Sequence, residues 1–183
     1  MSLPLSPFTP FTTTIRVIIR LCRAEDLPAL EWWGLFMPHR GLIRSLFARH
    51  ASGTAAVMLV AEANGMAAGQ AWIDTSRQPV DGTGVIWALR VFPCLQGTGI
   101  GTRLMAASEE VLRERNCRLS EVSVEVGDEA LLYFYRRLGY REVEATSLAD
   151  LVPPGSPVPA EGSQRVLRKL LAEQPGTVTP DST

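Results

Sequence analysis

Apolar positions recur along this chain with two periods, and the changes between them divide it into elements. Ile15 to Cys22 is rich in β-branched residues and reads as a strand. Arg23-Ala24-Glu25-Asp26-Leu27-Pro28 then turns into a helix, with Asp26 as a cap two residues before an N1-type Pro28. Leu30, Trp33 and Phe36 or Met37 space as one apolar helix face. A second helix is predicted over Arg40 to His50, with Leu42, Ile43, Leu46 and Phe47 on one side, and Gly53 ends it. Arg40, Arg44 and Arg49 fall largely elsewhere and read as a solvated face. Three strands follow closely, Ala55 to Ala63, Ala67 to Thr75 and Val85 to Phe92. Asn64-Gly65 is a strong hairpin signal and Gln78 to Gly84 carries turn chemistry, so this block reads as an antiparallel meander.

After a glycine-rich turn comes a helix, Thr102 to about Arg115, with Leu104, Ala107, Ser108 and Val111 on one stripe. Leu119 to Val126 is a strand, Glu129 to Leu138 a helix, Tyr140 to Ala145 a strand and Val166 to Leu171 a last strand. An antiparallel first half followed by crossover helices is an α+β pattern with a mixed sheet. Nine of the 13 prolines fall in Met1 to Thr14, Val152 to Gly162 and Gln174 to Thr183, where neither period is present. The expected organisation is therefore an extension over 1–14, one domain over 15–172 and a flexible tail over 173–183.

Composition narrows the function. The chain has 183 residues, 46% of them apolar, which suits a single core. Lys plus Arg number 18 against 19 Asp plus Glu, a balance that argues against a nucleic-acid partner or a polybasic membrane contact. No apolar run reaches the roughly 18 residues a membrane span needs, and Met1 to Thr14 lacks a signal-peptide pattern. Cys22, Cys94 and Cys117 form no paired motif and there are only two His, so neither a metal site nor a disulfide framework is expected. The expectation is a reduced, cytoplasmic protein.

The chemistry concentrates in Leu89-Arg90-Val91-Phe92-Pro93-Cys94-Leu95-Gln96-Gly97-Thr98-Gly99-Ile100-Gly101-Thr102, a strand feeding a glycine turn that opens a helix. Glycines remove side chains where backbone N–H groups converge, and the helix start adds its positive dipole end. Together they make a cradle for phosphate or pyrophosphate. A Walker loop is excluded because no Lys follows Gly101, and a dinucleotide fingerprint because Thr102 and Leu104 stand where its third glycine belongs.

Gln96-x-x-Gly99-x-Gly101 resembles the pyrophosphate loop of the GCN5-related N-acetyltransferase (GNAT) family, whose pattern is Arg/Gln-x-x-Gly-x-Gly/Ala. Ala130-x-x-x-x-Tyr135-Arg136-Arg137-Leu138-Gly139-Tyr140 resembles that family's second signature. Ile19 to Leu30 is similar to its opening strand and helix, Val60-Ala61-Glu62 and Gly69-Gln70-Ala71-Trp72 to its second and third strands and Val166-Leu167-Arg168-Lys169 to its last, so the likeness runs from about Arg16 to Leu171. It implies a GNAT fold, a central mixed and mostly antiparallel sheet of about seven strands flanked by helices, with a V-shaped splay between strands 4 and 5. It implies acetyl-CoA as cosubstrate, its pantetheine arm on the main chain of Leu89 and Val91. The pyrophosphate would lie on Gln96, Gly97, Thr98, Gly99, Ile100 and Gly101, with the Thr102 hydroxyl beside it. Tyr135 takes the position that protonates the leaving thiolate. Asp128 stands where the family often has an Asn that bonds the cofactor arm. A homodimer follows by analogy.

The implied activity is transfer of an acetyl group to a primary amine of a small molecule or peptide, by direct attack in a ternary complex. Neutralising a lysine-like amine at pH 7 costs about 4.6 kcal/mol, whereas protonating the thiolate is downhill by roughly 2 kcal/mol. The base is thus the larger problem, and the fourth strand, Val85 to Val91, offers no acid where many family members have a Glu. Glu125 is the first candidate, then Glu62 and Asp74, each acting through water. Trp32, Trp33, Phe36, Trp72 and Trp87 are candidates for acceptor-pocket walls or for core. The alternative function is an acyl-CoA-binding or sensor module with little turnover.

Overall fold

The computed structural model describes residues 13–32, 39–143 and 164–171. Within them lie seven strands and four helices: β1 (Val17–Leu21), α1 (Arg40–Ala51), β2 (Ala56–Ala63), β3 (Met66–Asp74), α2 (Gln78–Asp81), β4 (Thr83–Val91), α3 (Ile100–Glu114), β5 (Leu119–Glu125), α4 (Glu129–Arg137), β6 (Arg141–Val143) and β7 (Gln164–Leu170). The strands form one mixed sheet in the order β1-β2-β3-β4-β5-β7-β6. All neighbouring pairs are antiparallel except β4 with β5. This is the architecture the sequence implies. The proposed tail, most of the extension, Trp33, Phe36, Met37 and the Val152 to Gly162 loop lie outside the described residues.

Residue alternation sorts the sheet's two faces. Val57, Leu59, Ala61, Ala71, Ile73, Ile86, Val122 and Val124 form one core with Leu104, Met105 and Leu112 of α3 and Leu132 and Tyr135 of α4. Met58, Val60, Ala67 and Trp72 turn the other way, onto Leu30 and onto Ile43 and Leu46 of α1. A sheet covered on both faces explains why β2 and β3 are nearly continuous runs of buried residues rather than half-polar ones. The Asn64-Gly65 hairpin forms as expected, both residues having positive φ, 50° and 78°, as a type I′ turn demands.

Several local expectations are corrected. The predicted helix after β1 is two 3₁₀ turns, Ala24–Asp26 and Ala29–Glu31, ended by Trp32 at φ 42°. Asp26 does not cap a helix at Pro28. Its carboxylate takes both terminal nitrogens of Arg20 at 2.7 Å and the Arg23 N–H at 2.7 Å, and Arg20 also reaches Glu62. Such a buried charge pair outweighs the weaker pull of a helix N-terminus. Gln78 to Gly84 holds the short helix α2 rather than a bare turn. Helix α3 starts two residues before the predicted Thr102, and Ile100, Met105, Glu109 and Leu112 join Leu104 and Ser108 in its buried face. On α1, Arg40 and Arg49 are not simply solvated: they pair with Glu31 and with buried Asp74.

The Arg20 hydrogen bonds hold the Asp26 carboxyl below its ordinary value of 3.8, against the opposing pull of burial. Asp26 therefore stabilises the fold above that value, and the contribution is lost as pH falls through the lower folded-state value. Asp26→Asn should cost about 2–3 kcal/mol at pH 7, because it leaves buried donors short of an anion. Urea denaturation of both proteins checks this, with the difference shrinking below about pH 4.

Candidate active site at the splayed strands

The site is a gap in the sheet. Strands β4 and β5 pair only at Thr83 with Leu119, Gly84 with Ser120 and Val85 with Glu121. Beyond Val85 they part, leaving one edge of β4 without a strand neighbour. Buried Glu121 sits at the vertex, held by Arg77 at 2.7 Å and Arg168 at 2.6 Å. The Phe92 N–H donates to the Ala68 carbonyl on the β3 side. Main-chain groups alternate in direction along a strand, so those of Arg90 also face β3, while those of Leu89 and Val91 face the gap. The Val91 carbonyl already accepts the Gln96 side-chain amide at 3.2 Å, which ties the glycine turn to the strand end.

A bulge re-phases β4 at the same place. Trp87 opposes Trp72 and Arg90 opposes Gln70, so Ala88 and Leu89 together face Ala71, with Ala88 at φ 49°. A left-handed alanine costs of order 1 kcal/mol, a strain that tends to sit at working positions. Sequence reasoning missed it, since no glycine marks the position. Its effect is to put Trp87 and Ala88 on the α1 face while Leu89 and Val91 pack on the α3 face.

At the end of β4, Pro93–Leu95 makes a 3₁₀ turn and the chain enters α3 through Gly97 at φ 77° and Gly99 at φ 89°. Those left-handed angles need glycine, and a Cβ at either position would point into open space. Residues Gln96 to Gly99 are exposed. Among the described residues no carbonyl or side chain accepts from the N–H groups of Gly97, Thr98, Gly99, Ile100 or Gly101. Free N–H groups at the mouth of a 15-residue helix suit a diphosphate. The Thr98 hydroxyl donates to the Leu95 carbonyl at 2.6 Å, bracing the turn, and Thr102 is exposed one helical turn along.

The other sequence candidates are distributed around this gap. Tyr135 on α4 is buried, with its ring 5.8 Å from that of Tyr140 and 5.3 Å from that of Phe134. Its hydroxyl makes no hydrogen bond among the described residues. Burial first, and then the charge of Asp128, pushes its phenol well above the ordinary tyrosine value, so it stays protonated. Asp128 is the N-cap of α4 and accepts from the Leu131 N–H at 2.9 Å. Glu125 ends β5, exposed and on the face opposite Val122 and Val124. Glu62 and Asp74 are not brought to the gap free: Glu62 pairs with Arg20, and Asp74 with Arg49 and the Ser76 N–H. Trp72 and Trp87 meet edge to face at 4.8 Å, and the Trp32 indole donates to the Ala67 carbonyl at 2.8 Å. Cys94 is exposed, whereas Cys22 is buried and its thiol is pushed up to about 12 by burial.

The same fold occurs in solved proteins. The PaiA N-acetyltransferase of Thermoplasma acidophilum, solved with coenzyme A, matches with a TM-score of 0.67 at 15% identity, covering 85% of this chain and 99% of that one. The yncA protein of Salmonella typhimurium, solved with its cofactor acetyl-CoA, matches at 0.64 and 20% identity, covering 91% and 99%. A ribosomal-protein-alanine N-acetyltransferase from Brucella melitensis matches at 0.64 and 22%, covering 84% and 99%. At these identities the likeness establishes the fold. No curated protein matches the chain by sequence. The acetyltransferase (GNAT) family profile matches residues 19–140, which span β1 to the end of the Tyr135–Tyr140 signature. With that match over most of the chain, and with acetyl-CoA the cosubstrate of the family, the protein belongs to the GNAT acetyltransferases.

Proposed function

We propose that this protein transfers the acetyl group of acetyl-CoA to a primary amine by direct attack in a ternary complex. The observation that carries the reading is the open edge of β4 running into a turn of unpaired N–H groups. Gly97, Thr98, Gly99, Ile100 and Gly101 hold the pyrophosphate there, and the freed main chain of Leu89 and Val91 aligns the pantetheine arm as a further strand would. The cosubstrate then runs from the turn back toward the Val85–Glu121 vertex, which brings the thioester end toward the Ala88 bulge.

Two sheet faces divide the chemistry. Tyr135 comes from the α3–α4 side and, held neutral by burial, gives its proton to the departing thiolate. Glu125 lies on the other face, where Trp72 and Trp87 stand, and it carries no ion pair among the described residues. Of the three carboxylates considered, it alone is at liberty to take a proton from the amine through water, Glu62 and Asp74 being held by arginines. Asp128 supports the site by capping α4 and so fixing the helix that carries Tyr135.

The test is a thiol-reagent assay of CoA release over a panel of amines, run beside calorimetry with acetyl-CoA. Saturable coenzyme binding with turnover on at least one amine is expected. Binding without turnover on any acceptor would favour the acyl-CoA sensor reading instead.

A further inference from the structure

The two outer strands finish the sheet in different ways. At one edge β6 is three residues long and carries Arg141 and Glu142, the short, charged kind of edge that resists further pairing. At the other edge β1 reads Val17-Ile18-Ile19-Arg20-Leu21, with no proline, no lysine and no bulge against β2. Its one charge is already matched, since Arg20 is bound by Asp26 and Glu62. Four of the eight large apolar side chains exposed among the described residues lie on or beside this strand: Ile15 at 40%, Val17 at 36%, Ile18 at 42% and Leu21 at 55%. Apolar exposure gathered in one place marks an interaction surface.

The pairing with β2 fixes which groups of β1 look outward. Cys22 stands opposite Met58, one step beyond Leu21 and Leu59 in the register, and donates its N–H to that carbonyl at 2.8 Å. Bonding residues alternate along an antiparallel ladder, so Ile18 and Arg20 turn their main chain to β2 while Val17, Ile19 and Leu21 turn theirs away from it. Among the described residues nothing accepts from those three outward N–H groups. Of their carbonyls only that of Leu21 is used, by the Arg20 guanidinium at 3.1 Å, which leaves it a second lone pair. The side chains of the same three residues lie on the α3 face, opposite Ala63, Ala61 and Leu59, with Ile19 packed against the core there.

We propose that β1 is the surface on which a second copy of this chain docks, the two strands pairing antiparallel about a two-fold axis at Ile19. The occupant follows from the register. Three outward-facing residues spaced two apart are their own complement when one strand is reversed: Ile19 meets Ile19 of the second copy, and Val17 meets Leu21 in both directions. Every outward N–H then finds a carbonyl. The same reversal sets the exposed Val17 and Leu21 side chains against one another on the α3 face. On the opposite face it lays Ile18 beside Arg20, whose charge is held by carboxylates of its own chain, so no like charges meet across these pairs. The sheet runs on from one copy into the next, and the β4 gap stays open because β2 and β3 stand between it and the axis. A five-residue edge is smaller than a standard interface, so the dimer is reversible, with a dissociation constant in the micromolar range.

Sedimentation velocity on the full chain, from low micromolar to several hundred micromolar, reads the equilibrium. The wild type should pass from monomer to dimer over that range. Leu21→Lys and Val17→Lys should each weaken the dimer at least tenfold with Tm unchanged, both side chains being exposed. Oxidative cross-linking then locates the axis, in a Cys94→Ser background that removes the exposed native thiol. Ile19→Cys should give a covalent dimer, since facing residues of a hydrogen-bonded pair lie about 5.5 Å apart at Cα, within disulfide reach. Val17→Cys should not, although it is the more exposed position, because the axis carries the two copies of residue 17 apart. A chain that stays monomeric throughout overturns the proposal, whether the edge is left bare or taken by a different protein. A dimer that both lysine variants leave intact overturns it too, as do cross-links forming at Val17 as readily as at Ile19. None of these readouts depends on acetyl transfer, so the acetyltransferase reading stands or falls separately.

Discussion

Tyr135→Phe should lower kcat about 100-fold while leaving KM for acetyl-CoA nearly unchanged, the signature of a general acid that acts at the chemical step. The change removes one oxygen whose hydrogen bonds no neighbour needs, so thermal stability should hold. Tyr140 provides the contrast. Its hydroxyl is 2.7 Å from the Ser120 hydroxyl and donates to Glu109 at 3.2 Å, and Glu109 also receives Lys169. Tyr140→Phe should therefore cost about 1–3 kcal/mol of stability and have a far smaller effect on kcat. The pH profile adds a second check. With its folded-state value raised above the ordinary value of 10.0, Tyr135 stays a phenol through the neutral and mildly alkaline range, so it should produce no alkaline fall in rate below about pH 10. The same shift fixes the sign for stability. The folded form favours the proton, so this contribution is complete below the unfolded value and is lost as pH rises from there toward the folded value.

Gly99→Val should weaken acetyl-CoA binding by about 100-fold. Gly99 stands at φ 89°, which a β-branched residue resists, and relaxing that strain turns away the N–H groups proposed to hold the diphosphate. Losing two hydrogen bonds to a charged group, at about 1.5 kcal/mol each, gives roughly that factor. Calorimetry with CoA measures it directly. Gly53, at φ 68° with open space around it after α1, is the matched control. Gly53→Val should show a similar loss of stability, of order 1–2 kcal/mol, with coenzyme affinity unaltered. If both variants bound the coenzyme like the wild type, the turn would not be its site.

The contrast between Gly99 and Ala88 shows what kind of information a sequence carries. Backbone angles that need glycine are written in the residue type, so the turn before α3, the Asn64-Gly65 hairpin and the stop after α1 were all legible. Ala88 adopts a similar angle with no residue to announce it, because the strain is imposed by the pairing of β4 with β3 on either side of it. Charge partners followed the same division. Asp26 looked like a helix cap because capping is local, but a guanidinium on the neighbouring strand outbid the local role. The sequence ranks Glu125 ahead of Glu62 and Asp74 as a base, but only the fold shows that Glu62 and Asp74 are already held by arginines.

Sequence alone determined the order of the seven strands, the glycine turn before α3 and the family signature around Tyr135. All of these depend on the spacing of residues near one another in the chain, where a period of two or of 3.6 leaves a readable trace. Only the tertiary structure decided where β4 leaves β5 and which way β4 turns after its bulge. Those are consequences of register between strands distant in sequence, and a shift of one residue reverses every side chain without changing a letter of the pattern.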